Sequence, residues 1–536
     1  MKGILNYLRN HPYFFYGAAA VLFFPAFLIN LGLVPVSFVP DEAIRGLVAL
    51  EMMISENYIV PTLNGEFYYN KPPLFNWIII AFFKLTGDYS LFTMRLVTVV
   101  ALLVFGFTIY HFVQKHYNKG FELFNAFMFI TCGRILLWDS FIALIDITFS
   151  WVIYLNFMLI YHYYEKKKYL ALFVVSYLLT TAAFMMKALP SVAFQGITLL
   201  VFFIYKKDFK RLFAWQHFLG FFIFAGLLFL YYYIYSGYNT LEELLPNLLT
   251  ESTKRTVVRY GWWRTFGHLF TFPVEQVYHF APWSFFIIFT FSKKAIKEIF
   301  ADPFLKYNFM VFAANIPIYW TSPEVYPRFI LMLAPLLFVI FSHFAIYKAS
   351  EFPVQRKVLE YLFLAVSIVA TIGIWYAPFH PDTHFISNIW LKTAVIFIAA
   401  AITTFLFFKI KKSRMILLVI MLLIMRIGFD WFVFPPREKH LRPYVNDAIE
   451  MARMTKGKPL YLYMGTIRDN PNTFYITRER MEILEITDNK NIPGALYLTE
   501  KKFLQGEDYE TLYEYTIYFE KRKLYLVKFN TSESDS

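Results

Sequence analysis

Carboxylates and lysines suited to group transfer lie at intervals along the first half of this sequence. Asp41 and Glu42 stand side by side, Asp146 lies among apolar residues, and Lys71 and Lys187 each stand at the edge of an apolar segment. A carboxylate can take a proton from an attacking hydroxyl group, and a lysine can bind a phosphate oxygen as a point charge. These residue types indicate transfer chemistry on a substrate that carries an anion.

Asp41 and Lys71 also have structural interpretations, whereas Asp146 is harder to explain by structure alone. Asp41 could cap a helix that runs to about Ser55, and Lys71 could be a lysine in a simple turn. Asp146 is predicted to be functional because a carboxylate among apolar residues is costly unless it is paired or works. Asp139, seven residues earlier, would share a helical face with Asp146 and is predicted to be a cap or a solvent-facing residue.

The composition shows what kind of chain must position these residues. Of the 536 residues 58% are hydrophobic and 17% are charged, and the chain has 64 Phe and 39 Tyr. Such a composition excludes a soluble enzyme and predicts a protein that spans a membrane many times. The single cysteine, Cys132, excludes an intramolecular disulfide framework. The net charge of +13 is scattered between apolar runs, so no nucleic-acid partner is predicted.

Apolar runs long enough to cross a bilayer predict a polytopic α-helical membrane protein with about thirteen transmembrane helices. The predicted spans are 12–34, 95–113, 121–138, 147–164, 169–186, 188–205, 215–235, 280–292, 306–320, 329–347, 358–378, 389–408 and 415–434. A shorter amphipathic stretch, Pro72–Gly87, is predicted to be a helix that lies in the membrane interface.

The basic residues predict the orientation of the spans. Lysine and arginine clusters fall on alternate connections, as the positive-inside rule requires of cytoplasmic loops. The N-terminus is therefore predicted to be cytoplasmic in a multi-pass protein of the cell's inner membrane. Residues 1–435 are predicted to form the membrane domain, with a first outer loop at 35–94. Residues 436–536 are predicted to form a small extracytoplasmic α/β domain, with strands at Pro459–Met464 and Lys523–Phe529 and a helix at Tyr444–Met454.

A second set of basic residues falls on the predicted outer side, against the topology rule. These residues are Arg45, Lys71, Lys187, Lys254, Arg255, Arg259, Arg264 and Arg328. Phosphate is the obvious partner for such a group, because arginine binds phosphate oxygens through a fork of N–H donors. Snorkelling at helix ends is the alternative for any single member. The outer histidines fit no metal-ligand spacing, so no metal ligand is assigned.

The residues around these positions resemble the GT-C class of membrane glycosyltransferases, the superfamily of protein O-mannosyltransferases and the lipid A aminoarabinose transferase (glycosyltransferase family 39-like). The similarity is carried by Asp41-Glu42, by the segment Pro61–Gly65, and by Tyr68–Leu74, which contains Lys-Pro-Pro. Arg95, Asp146, Lys187, Pro282-Trp283-Ser284 and Arg328 follow in the same order. The resemblance covers roughly residues 10 to 345.

The resemblance implies transfer of a sugar from a polyprenyl-phosphate donor, such as undecaprenyl phosphate, to an extracytoplasmic acceptor. The acceptor would be lipid A, another envelope glycan or a protein. Asp41 would be the catalytic carboxylate, beside Glu42, and Asp146 a second essential acid. The residues that would hold or line the lipid-phosphate site are Lys71, Lys187, Arg255, Arg259, Arg264, Arg328, Tyr68 and Tyr326.

Three departures from the family pattern affect what the resemblance implies. Asn70 stands where the family often has a glutamate before Lys-Pro-Pro, which argues against a metal site there. Ile44-Arg45 replaces Arg-Tyr, and Lys187-Ala188 replaces Lys-Gly. The sequence therefore predicts an inverting transfer with no required cofactor; a divalent metal is possible but not predicted. The rival hypotheses are a transporter or lipid flippase and a membrane sensor or scaffold.

Overall fold

The computed structural model of the chain describes residues 2–118, 120–244, 246–247, 250, 257–464, 466, 469–518 and 521–530, without the side chains of residues 2–4 and 257–260. Within these residues the chain is mainly helical and carries a small sheet near its C-terminal end. The described helices are α1 Lys2–Asn10, α2 Tyr13–Leu28, α3 Pro40–Ile54, α4 Leu74–Thr86, α5 Leu91–Val113, α6 Phe121–Ile130, α7 Gly133–Leu137, α8 Ile145–Glu165, α9 Tyr169–Lys187, α10 Leu189–Tyr205, α11 Trp215–Ser236, α12 Val257–His279, α13 Lys293–Ala301, α14 Pro303–Asn315, α15 Pro317–Trp320, α16 Ala334–Ser342, α17 Pro353–Gly373, α18 Ile389–Lys409, α19 Arg414–Phe432, α20 Phe434–Met454 and α21 Asn470–Arg480.

Seven helical segments in the described residues are long and apolar enough to cross a membrane. They are Leu91–Val113, Ile145–Glu165, Tyr169–Lys187, Trp215–Ser236, Pro353–Phe379, Ile389–Lys409 and Lys411–Met454. Five shorter apolar helices accompany them, at Tyr13–Leu28, Leu74–Thr86, Phe121–Ile130, Leu189–Tyr205 and Ala334–Tyr347. A helical, multi-pass architecture is thus confirmed, whereas the predicted number of about thirteen spans is not.

The span predicted at 121–138 is divided between α6 and α7, and two further predicted spans also differ in the structure. The segment predicted at 280–292 contains a three-ten helix, Trp283–Phe289, instead of an α-helix. The segment predicted at 306–320 is divided between α14 and α15, and α15 begins at Pro317. Proline has no backbone N–H to continue the hydrogen-bond ladder of the preceding helix, which explains the division.

The stretch between α2 and α5 forms a compact layer of two helices and a short hairpin. The hairpin pairs β1 (Thr62–Leu63) with β2 (Glu66–Phe67) in antiparallel register. Helix α3 packs on α4, and α4 ends at Gly87, whose left-handed φ of 66° stops the helix. The helix predicted over Pro72–Gly87 is confirmed; its place in a membrane interface stays a prediction.

The chain between α7 and α8 corrects one prediction about the acidic residues. Asp139 lies in a three-ten turn, Asp139–Phe141, and α8 starts only at Ile145. The extended residues at 142 and 144 separate the two carboxylates, so Asp139 and Asp146 share no helix. Asp139 is not solvent-facing either, because it is buried and pairs through both oxygens with Arg134, at 2.9 and 3.0 Å.

A five-stranded sheet follows α20. Its strands are β3 (Leu460–Tyr463), β4 (Glu485–Thr487), β5 (Leu496–Thr499), β6 (Tyr509–Thr516) and β7 (Lys523–Phe529), in the spatial order β4-β3-β5-β7-β6. The first three strands are parallel, and β7 pairs antiparallel with β5 and β6. The predicted C-terminal α/β domain is thus confirmed as a sheet unit. Helix α20 runs through residue 435, and the domain boundary predicted there stays a prediction.

Helix α21 connects this sheet unit to the first part of the chain by packing on α3. The Phe474 ring is fully buried there and lies against Gly46 and Met94. The Tyr475 hydroxyl accepts a hydrogen bond of 3.0 Å from the backbone N–H of Val36, just before α3. The C-terminal unit therefore supports the helix that carries Asp41.

Candidate active site

Asp41 lies in the first turn of α3, and its side chain remains 60% exposed. Pro40 is the first residue of the helix, where the missing N–H of proline costs no hydrogen bond. Val39 occupies the N-cap position, so the interpretation of Asp41 as the cap is wrong. Free N–H groups at a helix start favour a negative charge, which suits a carboxylate at this position.

Asp146 lies in the first turn of α8 and is almost fully buried. The Lys187 ammonium donates to Asp146 Oδ1 at 2.5 Å, and Arg328 Nε lies 3.4 Å from Oδ2. Both oxygens of Asp146 thus face a cation. This arrangement offsets the cost of burying the carboxylate and fixes the two cations next to it.

Lys187 is the last residue of α9, where a positive charge is favoured by the helix dipole. Ala188 follows with a φ of +55°, and Leu189 begins α10 at once. The tight turn aims Lys187 inward, between the rings of Phe149 and Phe329, whose centroids are 5.0 and 4.6 Å from Nζ. The lysine is thereby held in one position by the turn, two rings and Asp146.

Arg328 joins the two carboxylates. Its Nη2 donates to Asp41 Oδ2 at 3.2 Å, while its Nε faces Asp146. The ring of Tyr326 stacks on the guanidinium, with its centroid 4.3 Å from Cζ. Asp41, Asp146, Lys187 and Arg328 therefore form one connected cluster, although they come from three helices and the turn at Pro327–Ile330.

The hairpin after α3 places Tyr68 over the same helix. The buried Glu51 carboxylate accepts hydrogen bonds from the Thr62 hydroxyl at 2.8 Å and from the backbone N–H groups of Asn64 and Gly65 at 2.6 and 3.2 Å. Burial raises the pKa of Glu51, although these three donors act in the opposite direction. The hairpin held in this way places the Tyr68 hydroxyl next to Arg45, whose Nη2 donates a hydrogen bond of 2.7 Å to it.

These elements enclose a cavity of about 410 Å³. Its lining residues are Asp41, Ile44, Arg45, Tyr68, Asn70, Lys71, Leu144, Ile145, Asp146, Lys187, Ala188, Leu189, Pro190, Ala193, Ile318, Tyr319, Ser322, Val325, Arg328 and Phe329. Six of the residues assigned to the site from the sequence therefore meet at one place: Asp41, Asp146, Lys71, Lys187, Tyr68 and Arg328. Their chemical roles remain predictions.

Glu42 lies elsewhere. Its carboxylate is fully buried and forms a two-pronged pair with Arg95, at 2.8 and 2.7 Å. It also accepts a hydrogen bond of 2.8 Å from the backbone N–H of Ala143, just before α8. Glu42 does not line the cavity, and its contacts favour a structural role; its catalytic role stays a prediction. The pair ties α3 to α5 and to the chain that leads into Asp146.

Of the remaining predicted phosphate-binding residues, Arg264 and Tyr326 do not line the cavity. Arg255 lies outside the described residues, as does the side chain of Arg259. Arg264 is exposed on α12, and Tyr326 packs against two lining residues, Arg328 and Phe329. Within the described part of the chain, no group of three or more His, Cys, Asp or Glu side chains could hold a metal ion.

Sequence reasoning missed two polar contributors to the cavity and assigned a third only in part. Arg45 was included in the outer basic group for which phosphate is the predicted partner, but it was not assigned to the lipid-phosphate site. Tyr319 and Ser322 were not singled out, because nothing in their surroundings distinguishes them from other interfacial residues. The spacing of Arg45, four residues after Asp41 on one helix, was the available signal.

Comparisons with known proteins agree with this architecture. Residues 70–235 match the family model described as dolichyl-phosphate-mannose-protein mannosyltransferase. An uncharacterized protein of Aquifex aeolicus is 24% identical over 321 residues, which are 58% of this chain and 61% of that protein. The chain thus spans about three fifths of that relative's length.

Two crystal structures of ArnT from Cupriavidus metallidurans share the fold of nearly the whole chain. The structure bound to undecaprenyl phosphate gives a TM-score of 0.69 and the apo structure a TM-score of 0.68, each at 17% identity. Both comparisons cover 96% of this chain and 97% of the ArnT chain. The resemblance to membrane glycosyltransferases of the GT-C class that the sequence predicted is therefore confirmed, by the matching family model and by the fold shared with ArnT.

Proposed function

We propose that this protein is an inverting glycosyltransferase that moves a sugar from a polyprenyl-phosphate donor to an acceptor outside the cytoplasm. The observation that carries the proposal is the joining of Asp41, Asp146, Lys187 and Arg328 in one cavity. ArnT, whose fold the chain shares, has been crystallised with undecaprenyl phosphate. That shared fold supports a polyprenyl phosphate as the lipid partner.

Exposure separates the roles of the two aspartates. Asp41 keeps more than half of its side chain exposed, whereas Asp146 has 8% exposure and two cationic partners. An acceptor can reach Asp41 directly, so Asp41 is the residue suited to take a proton. Asp146 is suited to orient Lys187 and Arg328 and to balance their charge.

The reaction would be a single displacement at the anomeric carbon. With an alcohol as acceptor, its O–H proton passes to Asp41 while the oxygen bonds to the sugar on the face opposite the phosphate. The bond from the sugar to the phosphate oxygen breaks, and its electron pair stays on that oxygen. Lys71, Lys187 and Arg328 would stabilise the charge that develops on this leaving group. An ionised phosphate acceptor has no proton to lose, and Asp41 would then orient it.

The acceptor and the sugar can be found by comparing cells with and without the protein. The masses of lipid A, envelope glycans and envelope proteins should show one acceptor that loses one sugar when the protein is absent. Complementation with Asp41→Asn should fail to restore that mass although the protein is present in the membrane. Complementation with Glu242→Gln, an exposed acid of the predicted outer side, should succeed.

Two results would contradict the proposal. Restoration of the full product mass by Asp41→Asn would remove the proposed acid-base role. Movement of a lipid across proteoliposomes without formation of a covalent product would favour the transporter or flippase hypothesis.

A further inference from the structure

The cations of the cavity are not equally matched by carboxylates. Lys187 is paired with Asp146, and Arg328 lies between Asp146 and Asp41. These four residues carry two positive and two negative charges, so a further cation in the cavity wall would make the site positive as a whole. Arg45 lines the same cavity and lies outside this cluster.

Arg45 is a buried cation that has a polar contact on only one side. The residue has 8% exposure, and its Nη2 donates to the Tyr68 hydroxyl at 2.7 Å. Its Nη1 is buried and has no hydrogen-bond partner. Among the residues that the structure describes, no carboxylate lies at salt-bridge distance from Arg45.

A hydroxyl group does not compensate such a charge. Burying an ion without a counterion is costly, and the Tyr68 contact supplies one dipole and a ring at 5.5 Å from Cζ. The backbone at Arg45 is held from α4, since the Asn76 side chain donates to the Arg45 carbonyl at 2.9 Å. The guanidinium is therefore kept at the cavity wall with one donor group unsatisfied.

We propose that Arg45 binds a phosphate oxygen of a substrate in this cavity. This inference rests on the function proposed above. It adds Arg45 as a phosphate-binding residue outside the cluster of Asp41, Asp146, Lys187 and Arg328. The guanidinium offers a planar fork that fits phosphate oxygens, and Arg45 lines the cavity wall. The phosphate belongs either to the lipid donor or to a water-soluble or acceptor group.

The position of Arg45 on α3 is compatible with a phosphate of the lipid donor and with a phosphate of the acceptor. It lies four residues after Asp41, so the two side chains are neighbours on one helical face. An anion held by Arg45 therefore lies within one helical turn of the carboxylate proposed to act on the acceptor. The arrangement suits a phosphate that leaves the sugar as well as a phosphate that receives it.

The test uses the full-length protein in detergent and three probes: undecaprenyl phosphate, undecaprenol and inorganic phosphate. Affinities are measured for the wild type, Arg45→Gln and Arg45→Lys. The matched control is Lys84→Gln, which removes one exposed cation of α4 outside the cavity. Removing a buried charged partner should weaken the phosphate-bearing probe about 30-fold or more, with Arg45→Lys intermediate and Lys84→Gln unchanged.

Each outcome has one meaning. Weaker binding of undecaprenyl phosphate with unchanged binding of undecaprenol assigns Arg45 to the lipid phosphate. Weaker binding of inorganic phosphate alone assigns it to a water-soluble or acceptor phosphate. Unchanged affinity for all three probes in folded Arg45→Gln overturns the inference, and Arg45→Lys serves the same comparison if Arg45→Gln does not fold.

The same titration distinguishes the inference from the proposed function. If the wild type binds undecaprenyl phosphate no more tightly than undecaprenol, the polyprenyl-phosphate donor is wrong. A dependence of inorganic phosphate binding on Arg45 would then still support the anion site.

Discussion

Arg328 donates a hydrogen bond of 3.2 Å to Asp41, although the two residues are 287 positions apart in the chain. The contact brings the turn before α16 to the start of α3 and closes one side of the cavity. Because the same guanidinium also faces Asp146, it fixes the distance between the exposed and the buried carboxylate. The geometry of the site therefore depends on one planar group.

We expect Arg328→Lys to lower the rate of sugar transfer by about 10- to 100-fold, because an ammonium cannot replace a fork that faces two carboxylates. The loss corresponds to about 1.5–3 kcal/mol, the usual contribution of one charged hydrogen bond. Turnover with a polyprenyl-phosphate donor is the measurement. Arg442→Lys, an exposed position on α20, is the matched control and should leave turnover unchanged; equal rates for both variants and the wild type would contradict the bridging role.

The pair of Lys187 and Asp146 predicts a change in stability that can be separated from activity. Asp146→Asn leaves two buried cations short of a counterion, and we expect it to lower the free energy of unfolding by about 3–5 kcal/mol. Asp146→Asn combined with Lys187→Met removes one of those cations and should recover part of the loss. Thermal unfolding in detergent reports stability, and both variants should remain inactive.

A double variant that is no more stable than Asp146→Asn alone would show that the 2.5 Å contact contributes nothing to the folded state. Recovered activity in the double variant would show that neither residue is needed for the reaction.

Replacing the carboxylate by an amide should affect stability at Glu42 and activity at Asp41, although the two acids are adjacent on α3. Glu42→Gln weakens a fully buried pair with Arg95, so we expect loss of folded protein and a lower unfolding temperature. Asp41→Asn alters an exposed side chain and should keep the unfolding temperature while abolishing transfer. The comparison needs only the melting temperature and the turnover per folded molecule. Normal stability combined with lost turnover in Glu42→Gln would support the catalytic role predicted for Glu42 from the sequence.

Much of the site could be predicted because its residues break a rule of the surrounding sequence. Asp146 interrupts an apolar run, and Lys187 and Arg328 are basic on the side where basic residues are disfavoured. Those violations are local properties of the chain, so one sequence is enough to detect them. The helices α8 and α9 could be predicted for the same reason, because hydropathy is also local.

The features of the fold and of the site that could not be predicted depend on contacts between residues far apart in the sequence. Glu42 and Asp41 are equivalent as neighbours, and only the partner Arg95, 53 positions away, separates their roles. The break between Asp139 and Asp146 is invisible because Ile142, Ala143 and Leu144 are as apolar as a helix interior. The predicted number of spans is not confirmed for the opposite reason: an apolar run does not show its own local structure, and the run at 280–292 contains a three-ten helix, Trp283–Phe289, in which Trp283, Phe286 and Phe289 are buried.

The contact between Gly46 and Phe474 predicts that the C-terminal unit controls the site through α3. A methyl group on Gly46 would lie 2.6 Å from the Phe474 ring and 2.8 Å from the sulfur of Met94. We therefore expect Gly46→Ala to lower the free energy of unfolding by about 1–3 kcal/mol and to reduce transfer, because α3 must shift together with Asp41.

Combining Gly46→Ala with Phe474→Leu relieves the clash from the side of the sheet unit and should recover part of both losses. Leu504→Ala is the matched control, since this residue is buried in a different hydrophobic cluster of the same unit. It should lower stability but keep turnover per folded molecule. Equal losses of turnover per folded molecule in Leu504→Ala and Gly46→Ala would contradict this prediction. General loosening of the C-terminal unit would then explain the loss without the contact between Gly46 and Phe474.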